Sequence, residues 1–507
     1  MTDLGFRTRR GAAARLGAGA LGLGLAAAVL AGCASTPTAV PTPEATIEVV
    51  PTTPEKAPAA RATVPVELAD GTVVREDEWS AADAVDIELR GTTAASGSSG
   101  VRVAGATVTI AAAGVYRLSG TLDGQVVVDA PDDALVVLIL DGVAIDSAET
   151  AAIAVVSADD VAVHLAAGSR NSLADAAAYP ADAEIHAALF SEEDLTISGT
   201  GALEVTGRGG DGIVAEDDLA IIGGELVVTA ADDGLRGKDS LLVEAGALTV
   251  TAADDGLIAD NAEDEGRGWL SIEGGTVTVA SGDDAIKGEL AVLVSGGVID
   301  ITAAVEGIEA AYIAIAGGTI GIVSSDDGMN AASDVIATPD VTITGGDITI
   351  DAEGDGFDSN GTAAMSGGTL TIHGPTRQDN GAIDADRGVA VTGGTLIALG
   401  SAGMAQTPAA DSTQGWISAR ADYAAGASIE VIDAAGQTVA TVVARKPGGS
   451  VIVSTPDIAT GETYEVRIDG ASGASVVAGE GAAGGMPGPG GGGGQPFPQD
   501  GFGPTRG

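Results

Sequence analysis

Acidic residues recur at a regular interval before a glycine and an apolar residue. The segment TAADDGL occurs at 229–235 and again at 251–257, 22 residues further along the chain. Carboxylate oxygens without neighbouring histidine or cysteine favour a hard cation, which in this setting means calcium. Aspartate before glycine is also common in plain turns, where its side chain accepts a hydrogen bond from the backbone. A calcium site and a simple turn are therefore both open interpretations.

One acid occupies an equivalent position in each of seven units. If these units stack as coils about 4.8 Å apart, neighbouring charges repel by about 1 kcal/mol per pair in water and by several times more at a protein surface. Backbone N–H groups, lysine or arginine side chains, or bound metal could relieve this repulsion. The seven acids are Asp211, Asp233, Asp255, Asp284, Glu306, Asp327 and Asp355. We expect the calcium ligands among Asp232, Asp233, Asp254, Asp255, Asp283, Asp284, Glu306, Asp327 and Asp355.

Basic residues are scarce, so those beside the acids are informative. The chain has 23 lysines and arginines against 72 acids, and its net charge of −49 excludes nucleic acid as a natural partner. Arg236, Lys238 and Lys287 follow the acidic turns closely. They could simply form ion pairs with the acids, or bind the carboxylate of an acidic sugar beside calcium. Arg236 or Lys287 could also act as the base of a polysaccharide lyase.

The elements that carry the acids read as short β-strands. Apolar residues alternate with polar ones on both sides of a recurrent Gly-Gly pair, and a third short apolar segment follows each Asp-Gly. Three short strands per roughly 22 residues predict a parallel β-helix over 67–400, an all-β fold with a small β cap at 401–478. Length variation follows the acids, so we expect insertions such as that around Asn261 on the acidic corner.

The N-terminal region has the features of an exported lipoprotein. Four arginines precede the apolar run 16–30, and the sequence Leu-Ala-Gly-Cys ends at Cys33, the single cysteine. This pattern predicts a signal peptide at 1–32 and lipidation of Cys33, with a membrane anchor on the extracellular face of a bacterial cell. Residues 33–66 are rich in proline and threonine and read as a linker, while 479–507 reads as a disordered glycine-rich tail.

Several segments together resemble one protein family. The stretch Ala188–Leu203, the run ALVVLILDGVAI at 134–145, and the repeated Gly-Gly-Thr strands with Asp-Asp-Gly turns are similar to bacterial carbohydrate-binding domain-containing proteins, first recognised in cellulose-degrading clostridia. The resemblance covers roughly 100–470. It implies a right-handed parallel β-helix shaped like pectate lyases, bound calcium at the Asp-Gly turns, and binding of cellulose and acidic plant-wall sugars.

The resemblance and the residues together predict a surface lipoprotein that binds polysaccharide through calcium. We expect the protein to be a monomer and to carry out no catalysis. Substrate contacts are expected from Arg236, Lys238 and Lys287, and Trp269 is a candidate for stacking on a sugar ring. Two alternatives stay open. One is a calcium-dependent polysaccharide lyase, and the other is a structural or adhesive surface protein without a glycan ligand.

Overall fold

The structure is a computed structural model that describes residues 61–180 and 183–481. The predicted signal peptide, Cys33, most of the predicted linker and most of the predicted tail lie outside these residues. Strands dominate the described chain, and one short 3₁₀ helix, Ala81–Asp83, precedes them. Among the described residues, no helix is long and apolar enough to cross a membrane.

The strands wind into a parallel β-helix of about 12 turns, which confirms the predicted fold. Each coil contributes to three parallel faces. Face 1 follows the Asp-Gly turn, face 2 comes next along the chain, and face 3 follows the Gly-Gly turn. Leu219 pairs in register with Leu241, and Leu241 with Leu270, so that equivalent residues stack from coil to coil. The right-handedness of the coil stays a prediction.

The bounds of the strands show how the faces are built. Face 1 contains Thr107–Ile110, Gln125–Asp129, Ile153–Ser157, Ala187–Ser191, Asp211–Ala215, Leu235–Gly237, Leu257–Ala259, Met329–Ala331, Asp358–Ser359 and Asp384–Ala385. Face 2 contains Val85–Gly91, Gly114–Leu122, Leu135–Asp146, Asp160–Leu165, Asp194–Gly199, Asp218–Ile221, Ser240–Val243, Trp269–Ile272, Asp340–Ile343, Thr362–Met365 and Val389–Val391. Face 3 contains Arg170–Ala174, Ala202–Gly207, Glu225–Ala230, Ala247–Thr251, Thr276–Ala280, Val298–Ala303, Thr319–Val323, Asp347–Asp351, Thr369–His373 and Thr395–Gly400. Two long strands, Ile286–Val294 and Ile308–Ile315, run from face 1 into face 2.

Both ends of the helix carry antiparallel strands. At the N-terminal end, Ala94–Ser96 pairs with Val85–Gly91, and Val101–Ala104 pairs with Thr107–Ile110. At the C-terminal end, Gly448–Ser454 pairs with the last strand of face 3 and with Trp416–Tyr423. A separate four-stranded sheet shares a core with these strands, and it consists of Ser428–Ile432, Thr438–Val443, Thr463–Ile468 and Ala471–Val477. Antiparallel pairing at the ends covers sheet edges that would otherwise be open.

Residues 61–79, named here the strap, lie outside the coils along face 2. Val73 packs against Ala220 and Leu242, and Val74 packs against Val137 and Ile139. The strands of face 2 are consequently buried on both sides, as in Ser240–Val243, whereas Glu225–Ala230 on face 3 alternates exposed and buried. The sequence gives no periodic signal for the strap, since an extended segment that crosses the coils repeats nothing.

The larger insertions lie on a different corner from the one expected. Residues 260–268 connect Leu257–Ala259 on face 1 to Trp269–Ile272 on face 2, and residues 332–339 make the equivalent connection three coils later in the repeat series. The prediction that they flank the acidic turn was wrong. Because the face 1 strand is only three residues long, spacing alone does not show on which side of it the extra residues fall.

Gly234, which follows Asp233, is closely packed inside the corner. A Cβ atom on Gly234 would lie 2.3 Å from Val250 Cγ1 and 2.4 Å from the carbonyl oxygen of Gly256. The Gly234 N–H also donates to the Asp255 carbonyl at 2.8 Å, which holds adjacent coils together.

We therefore expect Gly234→Ala to lower the free energy of unfolding by about 2 kcal/mol or more, because overpacking forces backbone shifts. Gly97→Ala is the matched control, since a Cβ there meets nothing within 4 Å. Denaturant unfolding of both variants checks this. Equal stability of the two variants would contradict the packing requirement.

Candidate cation-binding edge

The corner between faces 3 and 1 carries the repeated acids, and we name it the acidic edge. It comprises Asp211, Asp232, Asp233, Asp254, Asp255, Asp283, Asp284, Glu306, Asp326, Asp327 and Asp355. The first acid of each Asp-Asp pair is exposed, whereas the second is partly or fully buried. Alternation along the chain thus directs the two side chains of a pair differently, as the short strands require.

The more buried acids cap the backbone of the neighbouring coil. Asp211 Oδ1 accepts from the Asp233 N–H at 3.0 Å, and Asp233 Oδ1 accepts from the Asp255 N–H at 3.0 Å. Asp255 Oδ1 continues the series to the Asp284 N–H at 2.9 Å, and Asp327 Oδ1 accepts from the Asp355 N–H at 2.6 Å. One carboxylate oxygen of each of these residues therefore accepts a backbone N–H of the next coil, which is the N–H capping expected from the sequence and not the local hydrogen bond of a simple turn.

Carboxylate oxygens at and beside this edge converge into three groups of three residues. Cluster 1 is Asp232, Asp233 and Asp254, cluster 2 is Asp254, Asp255 and Asp283, and cluster 3 is Asp284, Glu306 and Glu309. Within each cluster, one oxygen from every residue lies within 4.8 Å of the others. Clusters 1 and 2 share Asp254, so they form one continuous acidic site across three coils.

Cluster 3 already holds a cation of the protein itself. Lys287 Nζ lies 2.5 Å from Asp284 Oδ2 and 2.9 Å from Glu309 Oε2. Burial would lower the pKa of Lys287, but its hydrogen bonds to Asp284 and Glu309 outweigh burial and raise that pKa above its ordinary value. The ammonium group is therefore protonated and occupies the position that a metal ion would need.

Protein cations also terminate the acidic edge. His186 Nε2 lies 3.1 Å from Asp211 Oδ2, and this hydrogen bond raises the pKa of His186 to about 9. At the other end, Lys446 Nζ lies 2.7 Å from Asp351 Oδ1 and 2.9 Å from Glu353 Oε1. The histidine is thus positively charged at neutral pH, and the edge has a positive group at each end.

Clusters 1 and 2 have no such partner. Among the described residues, no lysine, arginine or histidine forms a salt bridge with any of their five acids. Burial, together with the charge of Asp211, raises the pKa of Asp233 to about 7, and burial raises the pKa of Asp255 to about 6. These carboxylates are held where ionisation is unfavourable without an added positive charge. The oxygen-only donor set fits a hard divalent cation.

Three other predicted calcium ligands, Glu306, Asp327 and Asp355, lie outside clusters 1 and 2. Glu306 belongs to the cluster that Lys287 occupies, and its carboxylate accepts from Asn330 Nδ2 at 2.9 Å. Asp327 and Asp355 belong to no three-carboxylate group among the described residues, although burial raises the pKa of Asp327 to about 7. The structure therefore brings together Asp232, Asp233, Asp254, Asp255 and Asp283, and it separates Asp327 and Asp355 from them.

The predicted substrate-binding bases are engaged in ion pairs. Arg236 contacts Glu216 at 2.8 Å and Asp260 at 3.0 Å, and Lys238 contacts Glu216 at 3.4 Å. Burial opposes the charge of Arg236, but Asp260 and Glu216 raise its pKa. Neither Arg236 nor Lys287 is thus in the neutral form that a general base requires. Lys238 is the most exposed of the three predicted bases, with 42% of its side chain accessible.

Trp269 does not lie on the surface, which corrects its prediction as a sugar-stacking residue. Its side chain is fully buried between face 2 and the strap, and its Nε1–H donates to the Ala69 carbonyl at 3.2 Å. The sequence placed Trp269 at the start of a strand, but it could not show that another segment covers the outside of that strand.

Two residues of the edge were missed from the sequence. Glu309 pairs in register with Lys287, and His186 immediately precedes Ala187, which pairs with Asp211. The sequence could have indicated Glu309, because it follows Ile308 just as Lys287 follows Ile286 in the preceding unit. His186 had no such signal, since its coil lacks the Asp-Gly pattern.

Comparisons with known proteins agree on a family. The family model described as carbohydrate-binding domain-containing protein matches residues 104–339. A protein of that name from Acetivibrio thermocellus is 40% identical over 136 residues, which are 26% of this chain and 48% of that protein. The chain thus spans about half the length of this curated relative. A solved polysaccharide lyase-like protein from C. thermocellum, in a gadolinium derivative, is 32% identical, with a TM-score of 0.41 over 47% of this chain and 93% of that one.

The raised pKa values of the edge predict a distinctive pH dependence in the absence of metal. Because the folded-state pKa exceeds the unfolded value, the stabilisation is complete below the unfolded pKa and is lost as pH rises through the folded pKa of about 6 for Asp255 and about 7 for Asp233. We expect the melting temperature in chelator to fall between about pH 4 and pH 7 and to level off above that range.

Asp233→Asn should reduce this pH dependence, because the amide keeps an oxygen acceptor for the Asp255 N–H and loses the titration. Asp334→Asn, at an exposed position outside the three clusters, is the control for a change of one charge. Thermal melts across this pH range test both. A melting temperature that rises with pH in all three proteins would contradict the assignment.

Proposed function

We propose that this chain, whose residues 104–339 belong to the carbohydrate-binding domain-containing protein family, binds polysaccharide through calcium held by clusters 1 and 2 of its acidic edge. The observation that carries the proposal is the contrast within the edge. Lys287 pairs with Asp284 and Glu309 in cluster 3, and His186 pairs with Asp211, whereas the five acids of clusters 1 and 2 converge without a salt bridge to any described lysine, arginine or histidine. Asp326, Asp327 and Asp355 also lack such a salt bridge, but they form no three-carboxylate group among the described residues.

Calcium fits this stretch better than other metals do. The five side chains offer only carboxylate oxygens, and calcium accepts six to eight oxygen ligands in a flexible arrangement. Zinc and the other later transition metals favour nitrogen or sulfur ligands, and no histidine or cysteine belongs to either cluster. Because Asp254 is shared, a cation in one cluster reduces the negative charge that the other cluster must carry.

Calcium at an exposed edge would offset most of the negative charge of clusters 1 and 2 and would give an acidic polysaccharide a cation to bind. Without it, a polyanionic glycan meets a protein of net charge −49 and is repelled. Asp232, Asp254 and Asp283 are exposed, so an ion among them would keep coordination positions open to sugar carboxylates and hydroxyls. Lys238 follows the face 1 strand Leu235–Gly237, and as the most exposed of the three predicted bases it would add a direct contact to a glycan that crosses face 1 from the edge.

The location of the protein is part of the proposal. The arginine-rich start, the apolar run and the Leu-Ala-Gly-Cys sequence ending at Cys33 support export and lipid attachment at the outer face of the cell membrane. A monomeric surface protein with a polysaccharide-binding edge would hold glycan close to the cell. A structural or adhesive role without a glycan ligand is the alternative that a failure of binding would favour.

Lyase activity is a second candidate, because the solved relative is titled a polysaccharide lyase-like protein. Calcium beside a sugar carboxylate could acidify the adjacent C–H group, as a lyase needs. The bases named for that role are protonated in ion pairs, which favours binding over catalysis.

Replacement of the shared ligand should weaken both calcium clusters together. We expect Asp254→Asn to lower calcium affinity by about tenfold or more, since it removes one full charge within about 4 Å of each ion. Asp334→Asn removes a charge elsewhere and should leave affinity unchanged. Calorimetric titration and the shift of melting temperature with calcium check the prediction. Equal affinities of the two variants would exclude clusters 1 and 2 as the site.

Polygalacturonate should be retained by the protein in calcium and released by chelator. Asp254→Asn should lose this retention, whereas Asp334→Asn should keep it. The same mixtures report on the lyase alternative through the ultraviolet absorbance of an unsaturated product. Steady product formation that Lys287→Met abolishes would establish catalysis in place of binding alone. Retention of polygalacturonate that is the same with calcium and with chelator would contradict the proposed calcium bridge.

A further inference from the structure

The strap fixes the point at which the preceding chain reaches the β-helix. The Ala62 N–H donates to Ser295 Oγ at 2.9 Å, and Ala62 itself is 4% exposed. Arg61 forms an ion pair with Glu273. Residue 61 therefore lies on the outer side of face 2, where the chain that carries Cys33 joins the described body.

The strap is held at intervals over successive coils. The Thr72 N–H donates to Asp218 Oδ2 at 2.8 Å, and the Val74 N–H donates to Thr196 Oγ1 at 3.0 Å. Ser295, Asp218 and Thr196 belong to different coils, so these bonds hold the strap along the helix axis rather than at one site. Apolar contacts of Val64, Val66 and Leu68 with the cluster around Trp269 fill the interval between them.

Charged contacts reinforce this attachment. Arg75 Nη1 lies 2.7 Å from Glu244 Oε2, just beyond the face 2 strand Ser240–Val243. The Ala69 N–H donates to the Gly266 carbonyl at 2.9 Å, and the Trp269 Nε1–H donates to the Ala69 carbonyl. The strap is consequently seated by the coils beneath it and by the insertion 260–268 beside it.

The order of the faces then determines the direction of the acidic edge. Each coil runs through face 2, face 3 and face 1, and the edge lies between faces 3 and 1, on the side opposite face 2. We propose that the strap mounts the β-helix so that the acidic edge points away from the attachment of the N-terminal chain. The inference rests on the proposed function only in taking this edge as the ligand-binding surface.

The mounting can be tested without calcium or polysaccharide. The mature chain from residue 33 onward is coupled through Cys33, its single cysteine, to maleimide lipid in zwitterionic vesicles. A variant that lacks residues 36–57 shortens the reach from Cys33 to residue 61 from about 95 Å to about 20 Å at full extension. Carbodiimide labelling of carboxylates, read by mass spectrometry, then compares coupled with uncoupled protein.

In the shortened, coupled variant, the exposed strap residues Glu67, Glu76 and Asp77 should lose most of their labelling. The exposed edge residues Asp232 and Asp254 should keep theirs. A chain with Cys33→Ser and Thr229→Cys is the matched control, because Thr229 is exposed on face 3 three residues before Asp232. Coupling through position 229 should reverse the pattern.

Loss of labelling on the edge equal to that on the strap, or no loss on either, would overturn the proposed mounting. Uncoupled samples of both variants must show the labelling of the unaltered chain, which verifies that the strap remains seated. Because no ligand is present, this result is independent of whether the edge binds calcium or glycan. A correctly mounted protein that fails to retain polygalacturonate would refute the proposed function alone.

Discussion

Repulsion between stacked carboxylates is the constraint on which the rest of this molecule depends. A parallel β-helix places equivalent residues of successive coils about 4.8 Å apart, so an acid repeated in every coil becomes a column of like charge. The chain repeats its acids at the corner between faces 3 and 1, where Asp211, Asp233 and Asp255 also cap the backbone of the next coil. Structure and charge are therefore coupled at this corner, and the acids cannot simply be spread over the surface.

Different groups offset the repulsion between carboxylates at different points along the column. Backbone N–H groups take one oxygen of most of the buried acids, and Lys287 fills cluster 3. His186 and Lys446 supply positive charge at the two ends. Among the acids that pair with no described lysine, arginine or histidine, five converge in clusters 1 and 2 over three coils, and burial there raises the pKa of Asp233 and Asp255. These five are the carboxylates for which we propose a bound cation.

Much of the fold followed from the sequence because its signals are local and repeated. Alternating residues such as Leu226 and Val228 indicated the buried side of face 3, and Gly234 indicated a corner too tight for a side chain. The strap and the burial of Trp269 did not follow, since both depend on contacts between segments about 200 residues apart. Among the acids, the sequence identified the correct column, but the geometry was needed to separate cluster 3 from clusters 1 and 2.

Anomalous difference density from a crystal of the protein grown in calcium would show directly whether clusters 1 and 2 bind calcium. We expect density between Asp232, Asp233 and Asp254 and between Asp254, Asp255 and Asp283, with Lys287 still paired in cluster 3. Calcium in cluster 3 with Lys287 displaced, or an edge without calcium density at saturating concentration, would contradict it.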